Sequence, residues 1–422
     1  MGCGTKLFVG IAATAMLASC TSPSTSTTPT TPEVELARHV DDRLLVQTRR
    51  GVAVIDAATG AELVEAPRAV ASPDLSRLYS LGGPRDARTI TVIDVATGAT
   101  LDRLGAPAGL TPGVASSDGD LLALASPHRR GATPWLPAGR RRTEIAAVAP
   151  ETGTAAGLYD LKGNFELEGF STDGRQLFLL EYMPAANPTR YGLRRLNLEG
   201  GTIRSIKESK QNAPGSMRGT GRIARFSPSG HELYTLYTQQ GPNYAHGGNG
   251  EHEPGDVYAF VHLLNLEGAW THCIDLRAPF GTGKVTTHAM AVSPDGSRLY
   301  VADPSSGGLA VIDPGQTKVL RSVTTDLSGL RRGVASAHVG SDGTLYLSGG
   351  DEILVIDGDT LETVERWKMR APVSSIATSS VGDELYVALA DRLLVLDATT
   401  GARTRVVRAA GIDGIVGLMA RD

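Results

Sequence analysis

The 422-residue chain is poor in cysteine, with Cys3, Cys20 and Cys273 as its whole complement. Two of the three lie in the first twenty residues, so no disulfide framework is available and stability must come from packing. Nor is there an excess of one charge. The 41 Lys and Arg stand against 45 Asp and Glu, a net charge of −4. That balance excludes the basic footprint of a nucleic-acid-binding protein. No apolar stretch approaches the roughly 20 residues that a transmembrane helix needs. Catalytic signatures are missing too: there is no Ser-His-Asp order, no phosphate-binding loop and no paired-cysteine motif.

What the chain does have is a repeat. One unit runs from His288 to Val323 as an apolar run, a Ser-Pro-Asp-Gly turn, Leu-Tyr-Val, a loop, Val-Ile-Asp, a turn and a last short strand. The third element recurs as Val54-Ile55-Asp56, Val92-Ile93-Asp94, Val311-Ile312-Asp313, Val355-Ile356-Asp357 and Val395-Leu396-Asp397. Degenerate copies at Ala147-Val148-Ala149, Arg195-Leu196-Asn197 and Leu263-Leu264-Asn265 bring the total to eight. A repeat of this period made only of strands is the mark of a β-propeller. The expected fold is therefore all-β, with eight four-stranded blades; seven is the alternative if one degenerate unit between Gly113 and Leu276 forms no blade. Runs apolar on both faces belong to strands buried on both faces, as blades stacked face to face require.

The first unit starts at Arg43-Leu44-Leu45-Val46, already at its second strand, and the chain ends in an unpartnered first strand, Gly414 to Met419. The C-terminal strand is therefore expected to complete the N-terminal blade and remove the open edges. The Pro-Asp-Gly turns suit tight hairpins. The Asp-x-x-Thr-Gly runs after the third strand (Asp56 to Gly60, Asp94 to Gly98, Asp397 to Gly401) place an Asp where its carboxylate accepts backbone N–H groups across a turn. A repeated Asp at a repeated turn reads as structural.

This pattern resembles the YVTN family of bacterial β-propeller repeats. The likeness is carried by Ser293 to Ala302 with Val311-Ile312-Asp313, and by Glu384 to Ala388 with Val395 to Gly401, and it extends over nearly the whole chain after residue 40. It implies a fold and no substrate. Quinone-cofactor propellers carry a Trp shortly after a similar Thr-Gly; here Gly60-Ala61-Glu62-Leu63 and Gly401-Ala402-Arg403-Thr404 hold none, which argues against a quinone enzyme.

Residues 1–19 read as a targeting segment: Lys6, an apolar stretch from Leu7 to Ala18, then Leu17-Ala18-Ser19-Cys20. That ending resembles a bacterial lipobox, which makes Cys20 the lipid-bearing N-terminus of the mature protein. Residues 20–32 form a Ser/Thr/Pro tether that cannot build a core. Its 12 residues after Cys20 span about 37 Å when extended at roughly 3.1 Å each. Residues 33–422 are the propeller. The expected location is the outer side of a bacterial membrane, with the lipid anchor as the membrane contact.

Function on rigid scaffolds sits on loops. Three consecutive units carry long insertions between their second and third strands: Ser126 to Arg142, Tyr182 to Tyr191 and Gln239 to Asp256. These should crowd one sector of one face. The first holds His128, Trp135, Arg140, Arg141 and Arg142, a set suited to a carboxylate, phosphate or acidic protein surface. The third holds His246, Glu251, His252 and Glu253, which can hold a divalent metal although no recognised ligand spacing is present. Arg225, His288 and His338 fall on or near first strands, which line the central channel, where they can bind an anion or support acid–base work. Two readings follow. The first is a tethered binding or scaffold module for a protein, glycan or small anionic ligand, with no catalytic residue and no identified cofactor. The alternative is a propeller enzyme, a lactonase-like hydrolase or metal-dependent oxidoreductase, with its site at the channel mouth.

Overall fold

The structure, a computed structural model, describes residues 42–84, 87–133, 136–210, 216–219, 221–239, 257–281, 283–408 and 411–420. Eight antiparallel sheets form a ring with almost no helix. Each of the three degenerate units makes a blade. Blade three contains Thr111–Ala115, Leu122–Ala125, Arg142–Ala149 and Thr154–Lys162; blade four contains Asn164–Phe170, Gln176–Met183, Arg190–Asn197 and Ile203–Ser205. Blade five contains Gly221–Phe226, Glu232–Thr238, Val257–Asn265 and Trp270–Arg277. It also gains a fifth strand, Lys207–Glu208, which pairs parallel to its outer strand.

The strands exist because their side chains are buried on both faces. Leu44, Leu45 and Val46 are wholly buried, as are Leu177 to Leu180 and Leu385 to Ala388. One face of each such strand packs on the preceding blade and the other on the following one, so apolar clusters alternate with blades around the ring. Tyr346, Ile353, Ile376 and Val387 pack between blades seven and eight; Tyr386, Leu393, Leu44 and Val46 pack between blades eight and one.

The ring closes as the sequence implies. Ile412–Met419 pairs antiparallel with Arg43–Thr48 and supplies the innermost strand of blade one. A second fastener lies beside it. The buried Asp42 carboxylate accepts hydrogen bonds from the Tyr386 hydroxyl at 2.9 Å and the Ser380 N–H at 3.1 Å, both from blade eight. The tyrosine of the Leu-Tyr element does this job elsewhere too. Tyr79 donates to Gly119 O at 2.7 Å and Tyr346 to Ala398 O at 2.8 Å, each reaching the next blade. Burial pushes the Tyr79 and Tyr346 hydroxyls up to about 12, so they remain donors.

The repeated aspartates are turn acceptors. Asp56, Asp94 and Asp397 each take the N–H of the Thr three residues on, at 2.7 to 2.8 Å. At Gly401 the backbone is left-handed (φ 67°), and an added Cβ would lie 2.5 Å from the Trp367 ring. Glycine there answers both a conformational and a packing demand. The Ser-Pro-Asp-Gly turn has its own acceptor: Ser293 Oγ and the Ser297 N–H and hydroxyl all donate to Asp295, and these bonds hold its carboxyl at about 2.

Removing Ile412–Met419 should abolish the cooperative unfolding transition, because blade one loses its inner strand and blade eight loses its neighbour. Tyr386→Phe should be milder, costing about 1.5–3 kcal/mol for a hydrogen bond lost to a charged, buried acceptor. Denaturant titration of both variants checks this; a truncated protein that melts like the intact one would refute the closure.

Candidate functional site

Short hairpins join the second and third strands in blades six, seven and eight, as at Asp303 to Gly308 and Leu389 to Arg392. Blades three and four depart from that. The blade-three insertion folds as a small hairpin, Arg130–Thr133 with Leu136–Pro137, and returns along the blade-four loop. The Arg140 N–H donates to Ala185 O at 2.9 Å. Gly139 lies so close to Ala186 that an added Cβ would stand 1.9 Å from its carbonyl oxygen. The two loops are thus one surface.

Arg140 holds that surface together. Its Nε donates to Asn164 Oδ1 at 3.1 Å, and Nη1 to Ser126 O at 2.7 Å and Ser126 Oγ at 3.1 Å. Nη2 donates to His128 Nε2 at 2.7 Å and to Phe165 O. Five donors meet five acceptors, so this guanidinium is taken up by the fold. His128 Nε2 accepts from Arg140 in the tautomer protonated at Nδ1; the same nitrogen lies 2.9 Å from Phe165 O, which it meets as a donor in the other tautomer. Arg142 is likewise occupied, in a bidentate pair with Asp160 on the blade's outer surface: Nε donates to Oδ1 at 2.7 Å and Nη2 to Oδ2 at 2.5 Å. Arg129 and Arg141, in the same insertion, are exposed as well. Trp135 and the fifth-unit set His246, Glu251, His252 and Glu253 lie outside the described residues, as does Cys20.

A row of rings binds the three blades behind these loops. It runs from His128 to Tyr182 (centroids 5.6 Å apart), Tyr191 (6.0 Å), Tyr237 (5.5 Å) and Phe260 (5.2 Å), and both Tyr237 and Phe260 meet His262 edge-on. Rings at these separations and tilts attract beyond their buried area.

The row ends at a cluster that sequence reading did not single out. His262 and Cys273 sit directly opposite one another on adjacent strands of blade five, so they share a face. The added fifth strand brings Glu208 level with Thr271, onto the same face. Glu208 Oε2 stands 3.9 Å from His262 Nε2 and 3.7 Å from Cys273 Sγ, and it accepts the Thr271 hydroxyl at 3.0 Å. Glu208 Oε1 accepts the Lys210 N–H at 2.9 Å. His262 and Cys273 are buried; Glu208 is part-exposed at the outer rim. Burial pushes the His262 imidazole down to about 4, helped by the neighbouring His272, so the ring is neutral at neutral pH.

The channel residues are placed differently from one another. His288 is fully enclosed: Nδ1 meets Lys284 O at 2.9 Å, and Nε2 stands 3.1 Å from Asp303 Oδ2. Burial raises the Asp303 carboxyl, but bonds from His288, Ser305 and the Gly281 N–H overcome that and hold it at about 2. His338 is half-buried on the inner strand Ser336–Val339, and Arg225 is exposed on Gly221–Phe226. Desolvation, then the Arg225 charge, brings His338 down to about 4.

No protein-family model and no curated protein matches this chain. Solved structures do. Apo AztD from Citrobacter koseri superposes with a TM-score of 0.54 at 14% identity, covering 90% of this chain and 98% of that one. Sqt1 from Saccharomyces cerevisiae gives 0.50 at 11% identity, covering 82% and 85%. At these identities the likeness shows the propeller fold.

His338 makes a pH prediction. Its folded value lies below the ordinary 6.5, so the unfolded chain binds the proton more readily, and stability falls as pH drops from 6.5 towards 4. His338→Gln should flatten that part of the stability–pH curve and leave stability above pH 7 unaltered. Melting curves across pH 4 to 8 test it; an unaltered slope would exclude His338 as a source.

Proposed function

We propose that this chain is a membrane-tethered binding module of the bacterial cell envelope, a propeller of the YVTN repeat type held off the membrane by a lipid on Cys20 and the Ser/Thr/Pro segment. The observation that carries the binding role is the built-up sector of blades three to five. There the turns that are tight in blades six to eight are replaced by long loops, and the Arg140 hub and the ring row fix blades three and four into one rigid surface. A preorganised surface lowers the ordering cost of association. The exposed Arg129 and Arg141 on its rim favour a protein partner with acidic groups. Arg140, matched inside the fold, sets the shape of that surface, and Arg142 is paired with Asp160 on the blade's outer surface. The tether reading rests on Leu17-Ala18-Ser19-Cys20 and on the run of Ser, Thr and Pro after it.

Two measurements bear on this. Cys20→Ala should move the protein from the membrane fraction to the soluble fraction of its host; persistence in the membrane would refute the lipid anchor. A photo-crosslinking residue at position 141, on the loop face, should yield a discrete adduct in cells. The same residue at position 381, in an exposed turn of blade eight on the opposite face, should not. Equal labelling at both, or none at either, would remove the loop sector as the partner surface.

A further inference from the structure

We propose that Glu208, His262 and Cys273 form a binding site for a divalent transition-metal ion of the zinc class, built at the rim of blade five. The inference stands apart from the partner surface proposed above and from the tether.

The donor atoms of the three residues lie within 4.8 Å of one another. A tetrahedral zinc ion with bonds of about 2.3 Å to sulfur and about 2.0–2.1 Å to nitrogen and oxygen sets its ligand atoms roughly 3.3–3.6 Å apart. The observed 3.9 Å from His262 Nε2 to Glu208 Oε2 would close by about half an ångström, and the 3.7 Å from Cys273 Sγ to the same oxygen by about 0.1–0.2 Å. The first of these separations is also too long for a hydrogen bond. The structure gives the His262 ring aromatic neighbours and this carboxylate, and no hydrogen bond among the described residues, although its side chain is only 6% exposed. A largely buried imidazole whose Nε2 stands 3.9 Å from a carboxylate oxygen leaves a gap that a cation bridges.

The donor set fits such an ion chemically. Imidazole, thiolate and carboxylate together suit zinc and its neighbours in the transition series and fit magnesium or calcium poorly. One thiolate and one carboxylate balance a dication, so the loaded site is neutral, which a buried position demands. Loading releases the Cys273 proton. The carboxylate is already oriented from behind, by the Lys210 N–H on Oε1 and the Thr271 hydroxyl on Oε2. Three protein ligands leave a fourth position for water, and the part-exposed Glu208 marks the way in from solvent. Because Glu208 belongs to the added strand and the other two ligands to the blade, the ion would also pin that strand down.

Cobalt(II) is the probe, because cobalt bound to a thiolate gives a near-ultraviolet charge-transfer band. The experiment uses the full chain carrying Cys3→Ser and Cys20→Ser, so that Cys273 is its one thiol. The expected result is one equivalent bound with that band, displaced by zinc, and a melting temperature raised by zinc. Cys273→Ser should abolish the band. Glu208→Gln, a change at the rim that leaves the core intact, should weaken cobalt binding by more than about 100-fold, beyond the effect of losing an outer-shell partner. Melting of each variant in chelator shows that it is folded. Binding without the band, or binding unaltered in Glu208→Gln, would place the ion elsewhere, such as among His246, Glu251, His252 and Glu253, and would overturn the proposal. No binding at all would overturn it as well.

Discussion

Everything in this molecule depends on blades burying both of their faces. A four-stranded sheet whose central strands are apolar on both sides has no stable existence alone; it needs a neighbour in front and a neighbour behind. Seven such contacts in a row would still leave two exposed faces and two open edges. The pairing of Ile412–Met419 with Arg43–Thr48 makes the row a ring and eliminates them. The Asp42–Tyr386–Ser380 contact sits at that junction and is itself buried, so closure is backed by hydrogen bonds as well as by apolar area.

The ring explains where variation is allowed. A strand buried on both faces tolerates little, whereas the loops at its ends answer only to solvent and to one another. In blades three to five the chain uses that freedom three times in succession. Order is then restored by the five donors of Arg140 within the loops and, behind them, by strand-borne rings handed from blade to blade. Among the described residues, the same sector holds the one blade with a fifth strand. There the passage leaving blade four runs outward along blade five before turning in to start it, and this carries Glu208 to the rim opposite His262 and Cys273.

The architecture was legible in the sequence because it repeats. Eight copies of one short element, degenerate ones included, gave eight blades, and a missing first strand at one end with a surplus one at the other gave the closure. The side-chain constellations were less legible, for physical reasons. His262 and Cys273 meet only through hairpin register, which the turn between Asn265 and Trp270 sets. That register can be counted from a known turn, and counting it would have paired them. Glu208 gave no such signal, since a parallel strand added from a linker follows no period. His288 had the right position for a channel ligand, but its ring is turned inward onto Asp303. Arg140 looked like a ligand-binding arginine because donors and acceptors that lie far apart in sequence, such as Asn164 and Phe165, leave no local trace.

Hydrogen-exchange mass spectrometry of the intact protein tests the central claim, that one closed ring is the unit of stability. The account predicts that Ile412–Met419 and Arg43–Thr48 exchange together, and only through the same global opening that exposes the inner strands of the other blades. Early exchange of Ile412–Met419 while blades two to eight stay protected would contradict it.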